Sequence, residues 1–510
     1  MKDIRMIWNT LSRCQIYSSV NINPNIEKQV EQDETRTLEN LQRKSSVMLN
    51  KFFNTALPVD SNSRQNWSKN IFMFIILSLL GLASGCFILL CDPYELLFRW
   101  KIVFSDGGEI FEYWRKPVVD LYVKIYLFNV TNHNEYLSGE ASKLRFQEIG
   151  PYVYKETFEH ANVVFNDNGT LSTIPVHPLK YIPEMSNGTE EDLVIMPNIA
   201  LFMYDFDGDF ETIYTGETDV RTIGLIDKYN GDVNLPQWTG KCANVQGASD
   251  GVKFPSYIEP NDTILFFRKS LCRSARLVRI GEKTLQGLET YKYTFMENEL
   301  DNGAVNPENK CFCRKGFCLK PGLIDVTDCY YGFPIALSYP HFYKSDPSFL
   351  EAIEGLEPNK ELHESYFYIQ PKSGTPINLA SRFQINMVLQ NIGHMARVEK
   401  FPHMTIPLLW FEIGMYKLPL NLNLRFWFYL NFMPVLAEVS MYLLFLSGTV
   451  LLVWCIMRIL FHQTKKSSEW LEMKRKQRKA HTDKQIDPKV KDIDVFSTLL
   501  TSGDPNLMMV

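Results

Sequence analysis

Six cysteines crowded between Cys242 and Cys329, an acidic run at Asp205, Asp207, Asp209 and Glu211, and a few histidines beside prolines are the residues of this 510-residue chain whose types and spacing could do chemistry. The six are Cys242, Cys272, Cys311, Cys313, Cys318 and Cys329; Cys14, Cys86, Cys91 and Cys455 lie elsewhere. An even, clustered set reads as a disulfide framework in an oxidising compartment. Zinc bound by Cys311, Cys313, Cys318 and Cys329 is the competing reading, but the spacings fit paired-cysteine sites poorly and no histidine punctuates them. Spacing leaves the disulfide pairing open. In the acidic run Gly208 comes too early, and the closing Glu of a calcium loop is missing, so a solvated acidic turn is expected. His341 and His403 sit beside prolines in apolar surroundings and read as structural imidazoles. The sequence carries no Gly-x-Ser-x-Gly elbow, no His-Glu-x-x-His and no phosphate-cradling loop. The expectation is a chain that is not an enzyme, with no catalytic residues, no cofactor and no metal site.

These residues must be positioned by a chain that divides into two compartments. Residues 71–91 form an apolar run without a formal charge, and residues 439–457 form a second, extended outward past Glu438 by Leu436 and Ala437. As a helix the first measures about 31 Å, which matches a hydrocarbon core of roughly 30 Å. The first lies too deep for a removable signal peptide and reads as an uncleaved anchor. Arg458, Lys465, Lys466, Lys474, Arg475, Lys476, Arg478 and Lys479 follow the second, so that side is cytoplasmic. Two spans then place both termini in the cytoplasm. The expected segments are a disordered tail over 1–70, spans at 71–91 and 435–457, an external domain over 92–434, and a cytoplasmic tail over 458–510. A mean hydropathy of −0.15 excludes a many-span transporter. A net charge of −5 gives no global case for nucleic-acid binding.

The external segment carries sequons at Asn129, Asn168, Asn187 and Asn261, while the one at Asn66 falls on the cytoplasmic side. Val119, Leu121, Val123, Ile125 and Leu127 alternate with polar residues, as do Phe383, Ile385, Met387 and Leu389, so both stretches predict strands with one buried face. Frequent turn signals between them predict a large antiparallel sheet with some helices. The fold class expected is α+β: a two-span membrane protein with a barrel-like, disulfide-braced ectodomain.

Longer motifs then become recognisable. They run from Trp114 through Phe128-Asn129-Val130-Thr131-Asn132 and Gly150-Pro151-Tyr152-Val153-Tyr154 to Trp238, Cys242, Gly247, Ser249-Asp250-Gly251, Phe254-Pro255 and Cys272-Arg273. Asn306-Pro307, Cys311-Phe312-Cys313, Gly322-Leu323-Ile324-Asp325, Ser338-Tyr339-Pro340-His341-Phe342, Gly355-Leu356-Glu357-Pro358-Asn359 and Arg382-Phe383-Gln384-Ile385-Asn386 continue the series. In these the chain resembles the class B scavenger receptor family, which includes fatty-acid translocase, lysosomal integral membrane proteins and insect sensory-neuron membrane proteins. The resemblance implies an apolar tunnel through the ectodomain and the disulfides Cys242–Cys311, Cys272–Cys329 and Cys313–Cys318. One departure stands out. After Met196-Pro197-Asn198-Ile199-Ala200-Leu201-Phe202 the chain passes directly to Met203-Tyr204-Asp205-Phe206-Asp207-Gly208-Asp209, where family members continue through amphipathic helices. Much of the apical helical region is therefore expected to be missing, and ligand-binding residues on it cannot be carried over.

The resemblance implies a scavenger receptor that binds lipids or lipoprotein particles and takes up fatty acids, sterols, lipoprotein lipids or carotenoids at the plasma membrane. An endolysosomal trafficking receptor of the same family is the alternative, and a two-span ligand-gated channel is the alternative of another class. Gly81 and Gly85 on the first span would permit close packing against the second span or a second copy of the chain. Cys455 is a palmitoylation candidate or a plain embedded thiol.

Overall fold

The computed structural model describes residues 63–197, 209–389, 401 and 403–483. Residues 1–62 of the expected disordered tail and the residues Asp205 and Asp207 lie outside these, whereas residues 63–70 of that tail are helical. Two units emerge, one of residues 1–81 and 447–510 and one of residues 82–446. Helix α1 (Ser63–Cys91) leads into α2 (Pro93–Ile102) and α3 (Glu109–Arg115). Near the other end come α4 (Leu420–Trp427), a widened π turn over Phe428–Phe432, and α5 (Met433–Asp483). The widening sits where Pro434 lacks the N–H that would reach back to the carbonyl of Leu430.

Both long helices contain a stretch apolar and long enough to cross a membrane, and only 11% of each apolar window is buried. Apolar side chains turned outward at that density need a hydrocarbon solvent. α5 runs on to Asp483, so the basic cluster from Lys474 to Lys479 extends the second span's helix rather than lying on an irregular tail. Within the first unit, Ser78 Oγ donates to the Gly448 carbonyl at 2.8 Å and the Phe74 and Trp454 rings meet edge to face. Within the second, a Cβ on buried Gly85 would lie 3.2 Å from the Phe445 ring. The first span therefore turns Gly85 toward the second.

Sixteen strands stand among the described residues of the larger unit. In chain order they are β1 (Leu121–Val130), β2 (Leu144–Glu156), β3 (Glu159–Phe165), β4 (Thr170–Val176), β5 (Leu179–Tyr181), β6 (Glu211–Tyr214), β7 (Ile226–Tyr229) and β8 (Ile264–Arg268). There follow β9 (Arg273–Leu285), β10 (Leu288–Phe295), β11 (Ile324–Asp325), β12 (Ile335–Ser338), β13 (Ile353–Glu354), β14 (Tyr366–Ile369), β15 (Pro376–Val388) and β16 (Thr405–Met415). The main sheet runs β13-β2-β1-β16-β15-β14-β10-β9-β8, with β5, β11 and β12 attached beside it. Its pairings are antiparallel except β13 with β2. A smaller antiparallel sheet has the order β3-β4-β6-β7.

Two strand readings change in detail. In β1 the register with β2 shifts between Ile125 and Leu127, so beyond this bulge Phe128 and Val130 are the buried residues and the apolar face passes to the even positions. β15 is central and covered on both sides, so its polar face is not solvated: Arg382, Gln384 and Asn386 are buried along with Phe383. Their polar groups are satisfied internally. Asn386 Nδ2 donates to Ser338 Oγ at 3.0 Å, and Gln384 Oε1 accepts from the His341 backbone N–H at 2.7 Å.

Candidate functional site

The strand order brings α3, β1, β8, β15, β16 and α4 around one apolar cavity of about 100 Å³. Helical spacing turns Ile110, Tyr113 and Trp114 of α3 toward it, and Leu418, Leu422 and Phe426 close the opposite side at intervals of one turn. Strand alternation contributes Phe266 and Arg268 from β8, Leu379 and Ser381 from β15, and Ile413 and Met415 from β16. Val119 and Leu121, on the face that alternation assigns as apolar, line it too. A second apolar cavity shares Ile110, Tyr113, Lys253, Leu422 and Phe426 and adds Phe98 and Ile102 of α2 and Tyr429 of the π turn. The two spaces thus share a wall, and the second lies among the segments that continue directly into α1 and α5.

Lys253 and Thr375 stand at both cavities, and the second also has the charged Lys101, Glu109 and Arg425 in its lining. Lys253 is buried, and its Nζ donates to the Phe254 carbonyl at 2.7 Å and to Ser256 Oγ at 2.8 Å. Burial pulls its ammonium down to about 7, against the attraction of Asp250. Such an arrangement can hold an apolar chain by removing its surface from water, worth about 25 cal/mol per Å². No nucleophile–base–orienter set stands among the residues lining either cavity.

The structure joins Cys242 to Cys311, Cys272 to Cys329 and Cys313 to Cys318, with Cα separations of 5.9, 6.3 and 4.6 Å. These are the pairs that the family resemblance implies. The sulfurs brace a knot in which Trp238 Nε1 donates to the Cys272 carbonyl and the Arg273 guanidinium stacks 3.7 Å from the Phe312 ring. Asn168, Asn187 and Asn261 are exposed. Asn129 is half-buried on β1, and its Oδ1 accepts from the Ile195 N–H at 2.8 Å. Cys455 is buried at 1% exposure, which suits an embedded thiol better than an acylated one.

His341 keeps its expected role, while His403 and the acids depart from theirs. His341 is structural: its Nδ1 accepts from the Glu357 N–H at 2.9 Å, so Nε2 donates to Glu148 at 2.6 Å. His403 is exposed instead of embedded. Asp209 is not a free turn acid, since it pairs with Lys269 and accepts from Tyr229 Oη and Asn230 Nδ2 at 2.8 Å each. Glu211 is buried, and its carboxyl is pushed up to about 8 by burial and by neighbouring Asp250. It stands with His160 and Asp250 in a buried group whose ligand-type atoms all lie within 4.8 Å of one another. Period-2 placement on β3 and β6 would have aligned His160 and Glu211, but no sequence signal announced that the two strands share a sheet through β4.

The profile of the CD36 family matches residues 72–205 and 202–459. The chain belongs to the CD36 family. Mouse (Mus musculus) scavenger receptor class B member 1 is 28% identical over 450 residues, covering 74% of this chain and 87% of the relative. The Cricetulus griseus protein of the same name is 30% identical over 414 residues, covering 67% and 80%. Lysosome membrane protein 2 of Rattus norvegicus is 29% identical over 406 residues, covering 66% and 84%. The mouse alignment extends over more positions than the 74% of this CD36-family chain that it occupies, so the relative carries residues without a counterpart here. The profile match breaks at 202–205, where the sequence reading puts the missing apical helices.

Proposed function

We propose that this chain is a lipid receptor, not an enzyme, which takes a hydrophobic ligand into the apolar cavity and passes it toward the outer leaflet. The candidate ligands are fatty acids, sterols, lipoprotein lipids and carotenoids. The observation that carries the reading is the pair of apolar cavities with a shared wall, the second lined by the segments that continue into the membrane helices. A covered route of this kind lowers the barrier to moving a hydrocarbon between water and bilayer, because the chain is never fully wet. The class B scavenger receptor names of the relatives support the same reading. In this account spans at 71–91 and 435–457 put both termini in the cytoplasm of the plasma membrane. The residues between face outward with glycans on Asn129, Asn168, Asn187 and Asn261. Similarity to a lysosome membrane protein favours endolysosomal residence as the second reading.

The test is uptake of labelled lipid by cells expressing the parent chain or Ser381→Phe. Ser381 lines the cavity and is 7% exposed, so a phenyl ring there fills the space a ligand would use. Uptake per surface molecule should fall by about tenfold, equivalent to about 1.4 kcal/mol. Unchanged specific uptake at equal surface staining would count against the cavity as the route.

A further inference from the structure

We infer that His160, Glu211 and Asp250 form a binding site for a divalent transition-metal ion of the zinc class. The geometry begins with the small sheet. His160 on β3 pairs with Pro175 of β4, and Glu211 on β6 pairs with Thr173 of β4. Positions 173 and 175 share a face of the strand, so the two side chains leave the same face of the sheet. Asp250 comes from the loop before β8, where its Oδ1 accepts from the Val252 N–H at 2.8 Å. That bond turns Oδ2 toward the histidine.

The proton inventory is what calls for a cation. His160 is fully buried, held between the Trp114 ring at 3.7 Å and the Phe158 ring at 4.6 Å. Its Nδ1 lies 3.1 Å from the Trp114 carbonyl oxygen, an acceptor only, so Nδ1 carries the hydrogen. In the neutral ring Nε2 therefore presents a lone pair, 3.3 Å from Asp250 Oδ2. His160 Nε2, Asp250 Oδ2 and Glu211 Oε2 are all buried without a hydrogen-bond partner. Three unpartnered polar atoms converge where water does not reach, which is costly unless a proton or a cation is shared among them.

A metal ion meets each condition. A histidine that ligates metal commonly gives its other N–H to a backbone carbonyl, as His160 does to Trp114. Zinc bonds of about 2.0–2.2 Å to nitrogen and oxygen place tetrahedral ligands about 3.3–3.6 Å apart. The His160–Asp250 separation is 3.3 Å, and a Glu211 oxygen lies within 4.8 Å of both. Two carboxylates match the charge of a dication. One imidazole with two carboxylates favours a transition metal over calcium, which takes six or more oxygens. Residues 251–253, next to Asp250, line the apolar cavity. A bound ion would therefore tie the small sheet to the cavity wall.

The test uses the full chain in detergent, stripped with a chelator and then offered Zn²⁺, Mn²⁺ or Ca²⁺ separately. Glu211→Gln preserves the shape of the side chain while removing the carboxylate ligand, and is the decisive variant. The stripped parent should take up about one zinc per chain. Its melting temperature should rise on zinc addition, and X-ray absorption should report a nitrogen/oxygen shell with an imidazole. Glu211→Gln should melt like the stripped parent and lose the uptake, the melting shift and the imidazole signature; His160→Gln is the second variant. Zinc uptake by Glu211→Gln equal to that of the parent would overturn the site. So would a folded parent that takes up no zinc or manganese.

Discussion

Arg382 and Glu412 show how a polar strand face can be buried. Arg382 Nε donates to Glu412 Oε2 at 2.6 Å, and its Nη1 donates to the Glu364 carbonyl at 2.7 Å. Lys124 and Tyr416 reach the other carboxylate oxygen. Burial pushes the Glu412 carboxyl up, but Tyr416, Arg382 and Lys124 together outweigh it and hold the group below its usual 4.5. A carboxyl depressed in the folded state stabilises the fold at pH above 4.5, and that stability is lost as pH falls through the folded value. Glu412→Gln should therefore cost roughly 3 kcal/mol near neutral pH, by leaving a buried guanidinium without its counter-ion. The gap between the two proteins should shrink below pH 4.5. Thermal melts across that range check the sign, and a constant gap would show that the charge is not what matters. The alternation at 382–389 revealed the strand but not its depth, because burial on the polar side depends on partners from other elements, such as Ser338 of β12 and Glu412 of β16. His341 was legible as structural, whereas Glu211 looked solvated because an acidic neighbourhood in sequence says nothing of which side chain turns inward.

At the scale of elements, the spans were the most legible part, since length and apolarity alone define a membrane helix. The face each presents was legible only at Gly85, where a missing side chain admits the Phe445 ring. Gly85→Leu should overpack this contact and cost about 1–3 kcal/mol. Ser84→Leu, on an exposed position of the same helix, should be nearly neutral. Melting in detergent and surface level distinguish the two, and equal effects would mean that Gly85 does not set the packing. The phase change in β1 was illegible because a bulge adds a residue without a compositional mark: Tyr126, at the register shift, fits either face. The cavity was half legible. Val119 and Leu121 stood out by alternation, but α3 and α4 are too short for periodicity to tell which of their apolar residues face a void.

For the whole molecule, the proposed lipid route belongs to a chain that lacks residues its mouse relative carries. If the missing helices help to capture ligand, grafting the corresponding segment of the mouse receptor between Asn198 and Tyr204 should raise lipid uptake per surface molecule. Equal uptake would show that capture does not need them. The central claim is that a lipid travels inside the protein. Its most direct test is photo-crosslinking: cells expressing the chain are fed a photoactivatable fatty acid or sterol, and the labelled peptides are mapped. The account predicts adducts on cavity residues such as Tyr113, Leu379, Met415 and Phe426, lost in Ser381→Phe. Adducts confined to the membrane helices and unchanged by that substitution would contradict it.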